Sequence, residues 1–408
     1  MRVLPCLLAV GCSGTVDTVT PVTLHEDTGV EPIAGPTSAV FDDSFVHTLH
    51  ITLSPDSVTT LSRETEPYGT DPVYVPGDIV WDDVPVANVG VRIKGRWGTW
   101  RPLDEKASFK IDMNRYVSGQ DLDGFKALTL NNLIIDCSFM REPLAYPVYE
   151  AVGIPGPRTS YVEIFVNDEL YGLYLNVETP DDRYLERHFD HPEGPLYDAD
   201  YILWGNGSYT VLDYYPDLVQ YFELEEGEDP DHARLAALVA LIEDAAGDPD
   251  FYERTAALWD WDHHHRMVAG EMWTGQNDGY SLNQNNYLTF LGPEGERARV
   301  LPWDHDYAFL HARDWGFSWD NPDGRMTALC LDDPACRADQ LAALETLLDR
   351  VPDLDLPDRA EAIADLIDPY IEDDPRRECS WRQIDAYRDS LDRWFNNREG
   401  ELRQQWGL

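Results

Sequence analysis

Residues 275–309 read GQNDGYSLNQNNYLTFLGPEGERARVLPWDHDYAF, with three Asp and four Asn set around two short apolar runs. Asp and Asn are poor strand formers, and a buried carboxylate is costly unless it is paired or bound to a cation. Asp278 follows a helical pattern and precedes Asn283 by five residues and Asn286 by eight. A turn at Gly292-Pro293-Glu294-Gly295 makes the two apolar runs a hairpin, which brings Asp278 and Asp304 to the same end of it. An acceptor Asp, then Asn, then a second Asp beyond a short hairpin is the layout of a phosphoryl-transfer site. One carboxylate takes the hydroxyl proton, while the Asn and the second carboxylate hold Mg²⁺ on nucleotide phosphates. Two other readings stand beside this one: Asn and Asp stabilise turns through the backbone, and hard oxygen ligands suit a structural Ca²⁺.

Upstream of this stretch, alternation dominates. Residues 46–54, VANVGVRIKGRWGTW, ASFKIDM and FKALTLNNLI read as strands, and SYVEIFVNDELYGLYLNVE reads as a hairpin turning at Asn167-Asp168. SFMREPLAYPVYEAVG has helical spacing and stops at Gly153. The second half is helical: DHARLAALVALIEDAAG, FYERTAALWDWDHHHRMVAGEMWTG, ADQLAALETLLDRVPD, RAEAIADLIDPYI and the C-terminal run from Trp381. The acidic stretch Glu223–Asp231 reads as a solvated loop. A sheet-rich part followed by a helix-rich part is an α+β arrangement, and a cleft between them is the default ligand site.

The chain has 408 residues and a formal net charge of −45, from 76 acidic and 31 basic residues. That charge argues against nucleic acid or an anionic membrane surface as a broad partner. Residues 1–12 follow the pattern of a lipoprotein-type signal, with Ala9-Val10-Gly11-Cys12 as the cleavage and lipidation region; a plain secretion signal and a misassigned start are the alternatives. Residues 13–45 read as a flexible tether rich in Thr, Asp, Pro and Gly. Four further cysteines in an exported protein predict two disulfides with three possible pairings; one of these closes a short Cys330–Cys336 loop and leaves Cys137 for Cys379. A metal site on them is disfavoured, because no CxxC pair or nearby His accompanies them. Nor can His263, His264 and His265 converge on one ion, since consecutive helical residues point about 100° apart.

The residues carry a resemblance at this point. VGVRIKGRWGTWRPLDEKASFKIDM, then LTLNNLIIDCSFMREPLAYPVYEAVGIPGPRTSYVEIFVNDELYGLYLNVE, then NDGYSLNQNNYLTF with RVLPWDHDYAF, spread over residues 46–320, resemble the CotH kinase family of atypical protein kinases. The resemblance implies a protein-kinase-like two-lobed fold, with a β-rich N-lobe at 46–176 and a helical C-lobe at 177–405. It implies ATP with Mg²⁺ or Mn²⁺, and phosphorylation of protein Ser or Thr. Position by position, Asp278 matches the catalytic Asp and Asp304 the metal-binding Asp, with Asn286 and Asn283 beside it. Lys106 matches the Lys that touches the ATP phosphates, with Lys110 as the fallback. Arg141 and Glu142 match a polar pair at a helix start, with Glu142 expected to pair with Lys106. Glu178 falls where the chain crosses between lobes, beside the cofactor. Gly95-Arg96-Trp97-Gly98 and Asn285 depart from the family's pattern without removing a carboxylate.

The expectation is therefore an exported, lipid-anchored kinase acting on surface or secreted proteins, with no nucleic-acid partner and no membrane contact beyond its anchor. A noncatalytic surface or adhesion protein of the same fold is the alternative, and nucleotidyl transfer from the same metal site is a second enzymatic one.

Overall fold

The computed structural model describes residues 38–66, 73–96, 98–204 and 208–408. The expected signal, the tether as far as residue 37, and Trp97 lie outside the described residues. At the end of the tether, a 3₁₀ turn at Ala39–Phe41 buries Val40, whose carbonyl accepts from Ser160 Oγ at 2.8 Å.

The alternating segments become strands because period-2 geometry sends successive side chains to opposite faces. β1 (His47–Leu53) leads to α1 (Pro55–Leu61), which is started by Ser54 accepting from the Ser57 N–H. β2 (Val75–Trp81), β3 (Val84–Lys94), β4 (Ser108–Asp112) and β5 (Ala127–Asn131) then pair antiparallel in sequence. After α2 (Arg141–Glu150), β6 (Thr159–Val166) and β7 (Glu169–Val177) form the expected hairpin. Asn167 and Asp168 both have positive φ in its turn, as a two-residue loop of this hand requires. β7 pairs with β5, and β6 pairs in parallel with β1, so the strands close into a barrel in the order β1-β2-β3-β4-β5-β7-β6. Leu49, Val91, Phe109, Ile111, Leu128 and Ile164 are among the side chains that fill its core.

The chain continues through α3 (Asp182–His188), β8 (Leu196–Asp198), β9 (Ile202–Leu203), β10 (Tyr209–Thr210) and β11 (Glu223–Glu226). Next come α4 (Ala233–Ala245), α5 (Phe251–Thr255) and α6 (Trp261–Thr274), then the hairpin β12 (Tyr287–Phe290) and β13 (Arg299–Pro302). α7 (Arg325–Asp332), α8 (Pro334–Arg350), α9 (Leu356–Asp373) and α10 (Trp381–Trp406) complete the chain. The architecture is mixed α+β, as expected. The hairpin is one half of a four-stranded sheet, β11-β8-β12-β13, so the acidic stretch is not wholly a loop. Glu223 and Leu224 pair their backbone with β8, while the glutamates of this edge strand stay at the surface.

α6 is buried along almost its whole length, which makes it the axis of the helical part. Two disulfides are present, and of the three possible pairings the chain takes Cys137–Cys379 and Cys330–Cys336. The first ties the loop before α2 to the connection between α9 and α10. That connection also grips the barrel, where Arg376 donates to the Leu170 carbonyl at 2.6 Å and Arg101 forks onto Glu378 at 2.6 and 2.7 Å.

Candidate active site

α6 ends at Gly275, which takes the left-handed conformation, and the chain folds back over the buried Glu271. The Glu271 carboxylate accepts from the Ser281 N–H at 3.3 and 3.4 Å and braces the turn from below. A Cβ at Gly279 would come within 2.3 Å of Glu271 Oε1, so a larger residue there would have to displace the carboxylate that braces the turn. This turn presents Asp278. Asn283 Nδ2 donates to Asp278 Oδ1 at 2.5 Å, and Asn286 and Asn285 donate to Oδ2 at 3.0 and 3.4 Å. Burial pushes the Asp278 carboxyl up to about 6, against these bonds, with Asp304 adding to the rise.

The β12–β13 register sets Tyr287 opposite Pro302, so Asn286 and Asp304 leave the hairpin at the same end. Gln276 and Asn286 both donate to the Asp304 carbonyl, at 2.8 and 3.4 Å, while Asp304 itself sits at a φ of +47°. Asp304 Oδ1 is buried with no hydrogen-bond partner among the described residues. Burial raises the Asp304 carboxyl above its usual range, and the Lys94 ammonium opposes that rise.

Lys94, the last residue of β3, forms part of the opposite wall. Its Nζ donates to Asn131 Oδ1, whose amide nitrogen donates to Glu142 Oε2 at 2.9 Å. Tyr146 Oη donates to Glu142 Oε1 at 3.0 Å. Burial pushes Glu142 up to about 7, with Asp304 as the second cause, and burial lowers Lys94 while Asp304 and Glu142 oppose. Asp136 holds the start of α2 by accepting from the Met140 and Arg141 N–H groups at 2.8 Å each. Arg141 then donates to the Asp306 carbonyl at 2.7 Å, which joins α2 to the PWDHD turn. The cleft between these walls has a volume of about 830 Å³, within the roughly 300–1,000 Å³ usual for small-ligand sites.

The fold therefore brings Asp278, Asn283, Asn286, Asp304, Glu142 and Lys110 together around one cleft. Two expected residues are elsewhere. Lys106 precedes β4 rather than belonging to it, so strand alternation does not hold it on the face of Ser108 and Lys110. It is buried against Asp374 instead of pairing with Glu142. Glu178 is buried under the barrel's end between Arg158 and Arg187. Burial alone would raise its carboxyl, but these two guanidiniums hold it below the usual range. Asn283, expected among the metal ligands, donates its amide nitrogen to Asp278, as Asn286 also does. Lys94, not Lys106, lines the cleft and is linked through Asn131 to Glu142. Its signal is the alternation Arg92, Lys94 against Val91, Ile93, which puts a cation at a strand end just before Gly95. Asp306 also lines the cleft, and burial followed by the charges of Asp304 and Glu142 lifts its carboxyl well above the usual range.

The family described as CotH kinase protein matches residues 91–402. Inner spore coat protein H of Bacillus subtilis (strain 168) is 22% identical over 348 residues, 81% of this chain and 93% of that protein. Inner spore coat protein H-like protein of the same organism is 35% identical over 80 residues, 20% of this chain and 24% of the relative. Among solved structures, the Shewanella oneidensis MR-1 toxin–antitoxin complex of HipA, HipB and operator DNA aligns at 13% identity with a TM-score of 0.30. That alignment covers 73% of this chain but only 60% of the other.

Proposed function

The chain belongs to the CotH kinase protein family, and from that premise we propose a two-lobed, ATP-dependent protein kinase that phosphorylates Ser or Thr of surface or secreted proteins. The observation that carries the reading is the Asp278 carboxylate held by three Asn amides across the cleft from Lys94 and Glu142. A carboxyl with a pKa of about 6 is a stronger base than an ordinary Asp, yet it is ionised at neutral pH. Asp278 accepts the proton of the substrate hydroxyl, and the Asn amides fix the direction from which it does so. Lys94 and Lys110 supply positive charge to the nucleotide phosphates. The Asn131 amide holds Lys94 and Glu142 in a fixed relation, as a helix carboxylate holds the phosphate-binding Lys in other kinases.

The residues fit a divalent cation, Mg²⁺ or Mn²⁺. A buried carboxylate oxygen on Asp304 with no partner among the described residues is costly unless a cation meets it, and the donor set is hard oxygen. Asp304, with the amide oxygen of Asn286, would hold that ion. It would neutralise phosphate charge in a cleft that Asp198, Asp200, Glu223, Glu225 and Asp306 otherwise make hostile to anions.

The proposal extends to export and to a lipid anchor at Cys12, supported by the Ala9–Cys12 motif and the two disulfides. Replacing Cys12 with Ser is expected to free the protein from membranes, and unchanged association would remove the anchor from the reading. A noncatalytic coat or adhesion role is the alternative, favoured by the name of the B. subtilis relative. Incubating the purified chain with labelled ATP, Mg²⁺ or Mn²⁺ and a protein acceptor separates the two. Transfer of label to Ser or Thr supports the kinase; a wild type that binds no nucleotide with either ion leaves the surface role.

A further inference from the structure

The three consecutive histidines of α6 go three ways. His263 Nε2 meets the Val300 carbonyl at 2.8 Å, and His264 Nε2 meets Thr327 Oγ1 at 3.4 Å. His265 Nε2 lies 3.3 Å from Cys336 Sγ and 3.6 Å from Cys330 Sγ. The triplet does not converge, as helix geometry requires, but one member of it meets both cysteines across some seventy residues of sequence, a proximity that sequence spacing conceals. All three residues are buried, and none lines the cleft.

We propose that the reduced chain binds a zinc-class divalent cation at His265 Nε2, Cys330 Sγ and Cys336 Sγ, so that this corner of the helical part carries either a disulfide or a metal ion. The inference is independent of the kinase reading.

Tetrahedral Zn²⁺ takes sulfur at about 2.3 Å and imidazole nitrogen at about 2.0–2.1 Å, which sets each N···S edge near 3.6 Å and the S···S edge near 3.8 Å. The two N···S distances already lie close to that edge. Metal entry therefore requires the sulfurs to part and little else to move. Cys330 sits near the end of α7 and Cys336 in the first turn of α8, joined by the short link at Asp333, so the widening falls on a helix junction rather than inside one helix. The imidazole is oriented in advance: Trp261 stacks on it at 5.8 Å, and Gln340 Nε2 holds the His265 carbonyl at 3.0 Å.

Ligand chemistry selects the ion. Two thiolates and a neutral imidazole favour Zn²⁺ and its relatives Co²⁺ and Cd²⁺ over Mg²⁺ or Ca²⁺. Charge favours it as well, since two bare thiolates could not be buried here, whereas two thiolates around a dication are neutral. The exchange balances. A dithiol or phosphine reductant gives two electrons to the disulfide, two protons complete the thiols, and the entering metal then displaces those protons. The fourth tetrahedral position is left for water or another small ligand.

The test uses the full chain with Cys6, Cys12, Cys137 and Cys379 replaced by Ser, reduced with a phosphine under anaerobic conditions. Titration with Co²⁺ is expected to give one equivalent of binding, with thiolate-to-cobalt charge-transfer absorption that Zn²⁺ abolishes. The oxidised protein is expected to give none. His265→Ala is expected to weaken binding by at least about 10-fold, as loss of a ligand does. Zn²⁺ is also expected to shield Cys330 and Cys336 of the reduced wild-type chain from iodoacetamide, read by mass spectrometry, which does not depend on the variants folding. A reduced, folded protein without the absorption band, or alkylation of both cysteines unaffected by Zn²⁺, overturns the proposal.

Discussion

Lys106 Nζ donates to the carboxylate of Asp374, and the two side chains are only 2% and 0% exposed. The Leu173 N–H also donates to Asp374 at 3.1 Å, and the Tyr174 and Phe139 rings lie 5.4 and 5.8 Å from the ammonium. Burial lowers the Lys106 pKa and the Asp374 charge opposes that. The pair fastens the approach to β4 onto the chain between α9 and α10.

Removing one partner of a buried pair strands the other charge, at a cost of about 3–5 kcal/mol. Lys106→Ala is therefore expected to lower the urea midpoint and Tm strongly, while the folded fraction binds nucleotide as the wild type does. Lys106→Met with Asp374→Leu is expected to recover much of the loss. Weakened ATP binding at unchanged Tm would return Lys106 to the cleft.

Lys94→Met is expected to do the reverse. Its ammonium lies in the cleft wall beside Asn131, so its loss removes charge from the phosphates rather than from a buried pair. Charge-assisted bonds of about 1.5–3 kcal/mol correspond to roughly a 10- to 100-fold loss of ATP affinity. Isothermal titration against Tm separates this variant from Lys106→Ala.

What the sequence revealed was local. Alternation marked the barrel strands, and a Gly-Pro turn between two apolar runs marked the β12–β13 hairpin, so the sequence alone set Asp278 and Asp304 at the same end of it. The misplaced residues depend on contacts between distant segments. Lys106 is held by a residue 268 positions away, and Glu178 by two arginines, one in the loop before β6 and one in α3. Closure of the barrel by the parallel β1–β6 pairing, and the joining of β8 and β11 to the hairpin, likewise leave no periodic trace. Alternation puts Lys94 at the end of β3, whereas Lys106 lies outside β4 and is turned away by Asp374, a contact that composition does not reveal.

Burial pushes Glu142 up to about 7 and Asp278 up to about 6, from ordinary values of 4.5 and 3.8. Between those limits the folded chain holds protons that the unfolded chain has lost, so unfolding free energy falls as pH rises through the window. This contribution is complete below the unfolded values and gone above about 7. Tm of the metal-free protein is expected to drop more steeply from about pH 5 to 7 in wild type than in Glu142→Gln. Phosphoryl transfer has the opposite sign, because Asp278 must be ionised; its rate is expected to rise through about pH 6 and then level. A transfer rate flat across that range would remove Asp278 as the base.

Cys137 lies in the loop whose neighbours Leu133, Ile134, Ile135 and Asp136 line the cleft, and it is tied to Cys379. Replacing both with Ser opens a closure 242 residues long, worth about 5.5 kcal/mol by chain entropy, against about 2 for the six-residue Cys330–Cys336 separation. Nucleotide affinity is expected to fall only in the first variant, because only that disulfide restrains a cleft wall. Equal affinities in the two variants at a temperature where both are folded would show that this loop does not shape the site.

Asp304 and Asp278 share one cleft, yet their substitutions are expected to separate binding from chemistry. Asp304 Oδ1 is buried without a hydrogen-bond partner among the described residues, and its charge is the one the cation would answer. Asp304→Ala is therefore expected to abolish metal-dependent ATP binding. Without that ion, the remaining carboxylates of the cleft face the phosphates unscreened. Asp278 is satisfied by the Asn amides and needs no cation. Asp278→Ala is expected to keep nucleotide affinity within a few-fold and to cut transfer by at least about 100-fold, the scale of losing a general base. Titration with Mn²⁺–ATP and a labelled-ATP transfer assay on both variants read the two effects independently. If Asp278→Ala loses nucleotide binding as completely as Asp304→Ala, then Asp278 belongs with the metal ligands and the proton acceptor must be sought elsewhere in the cleft.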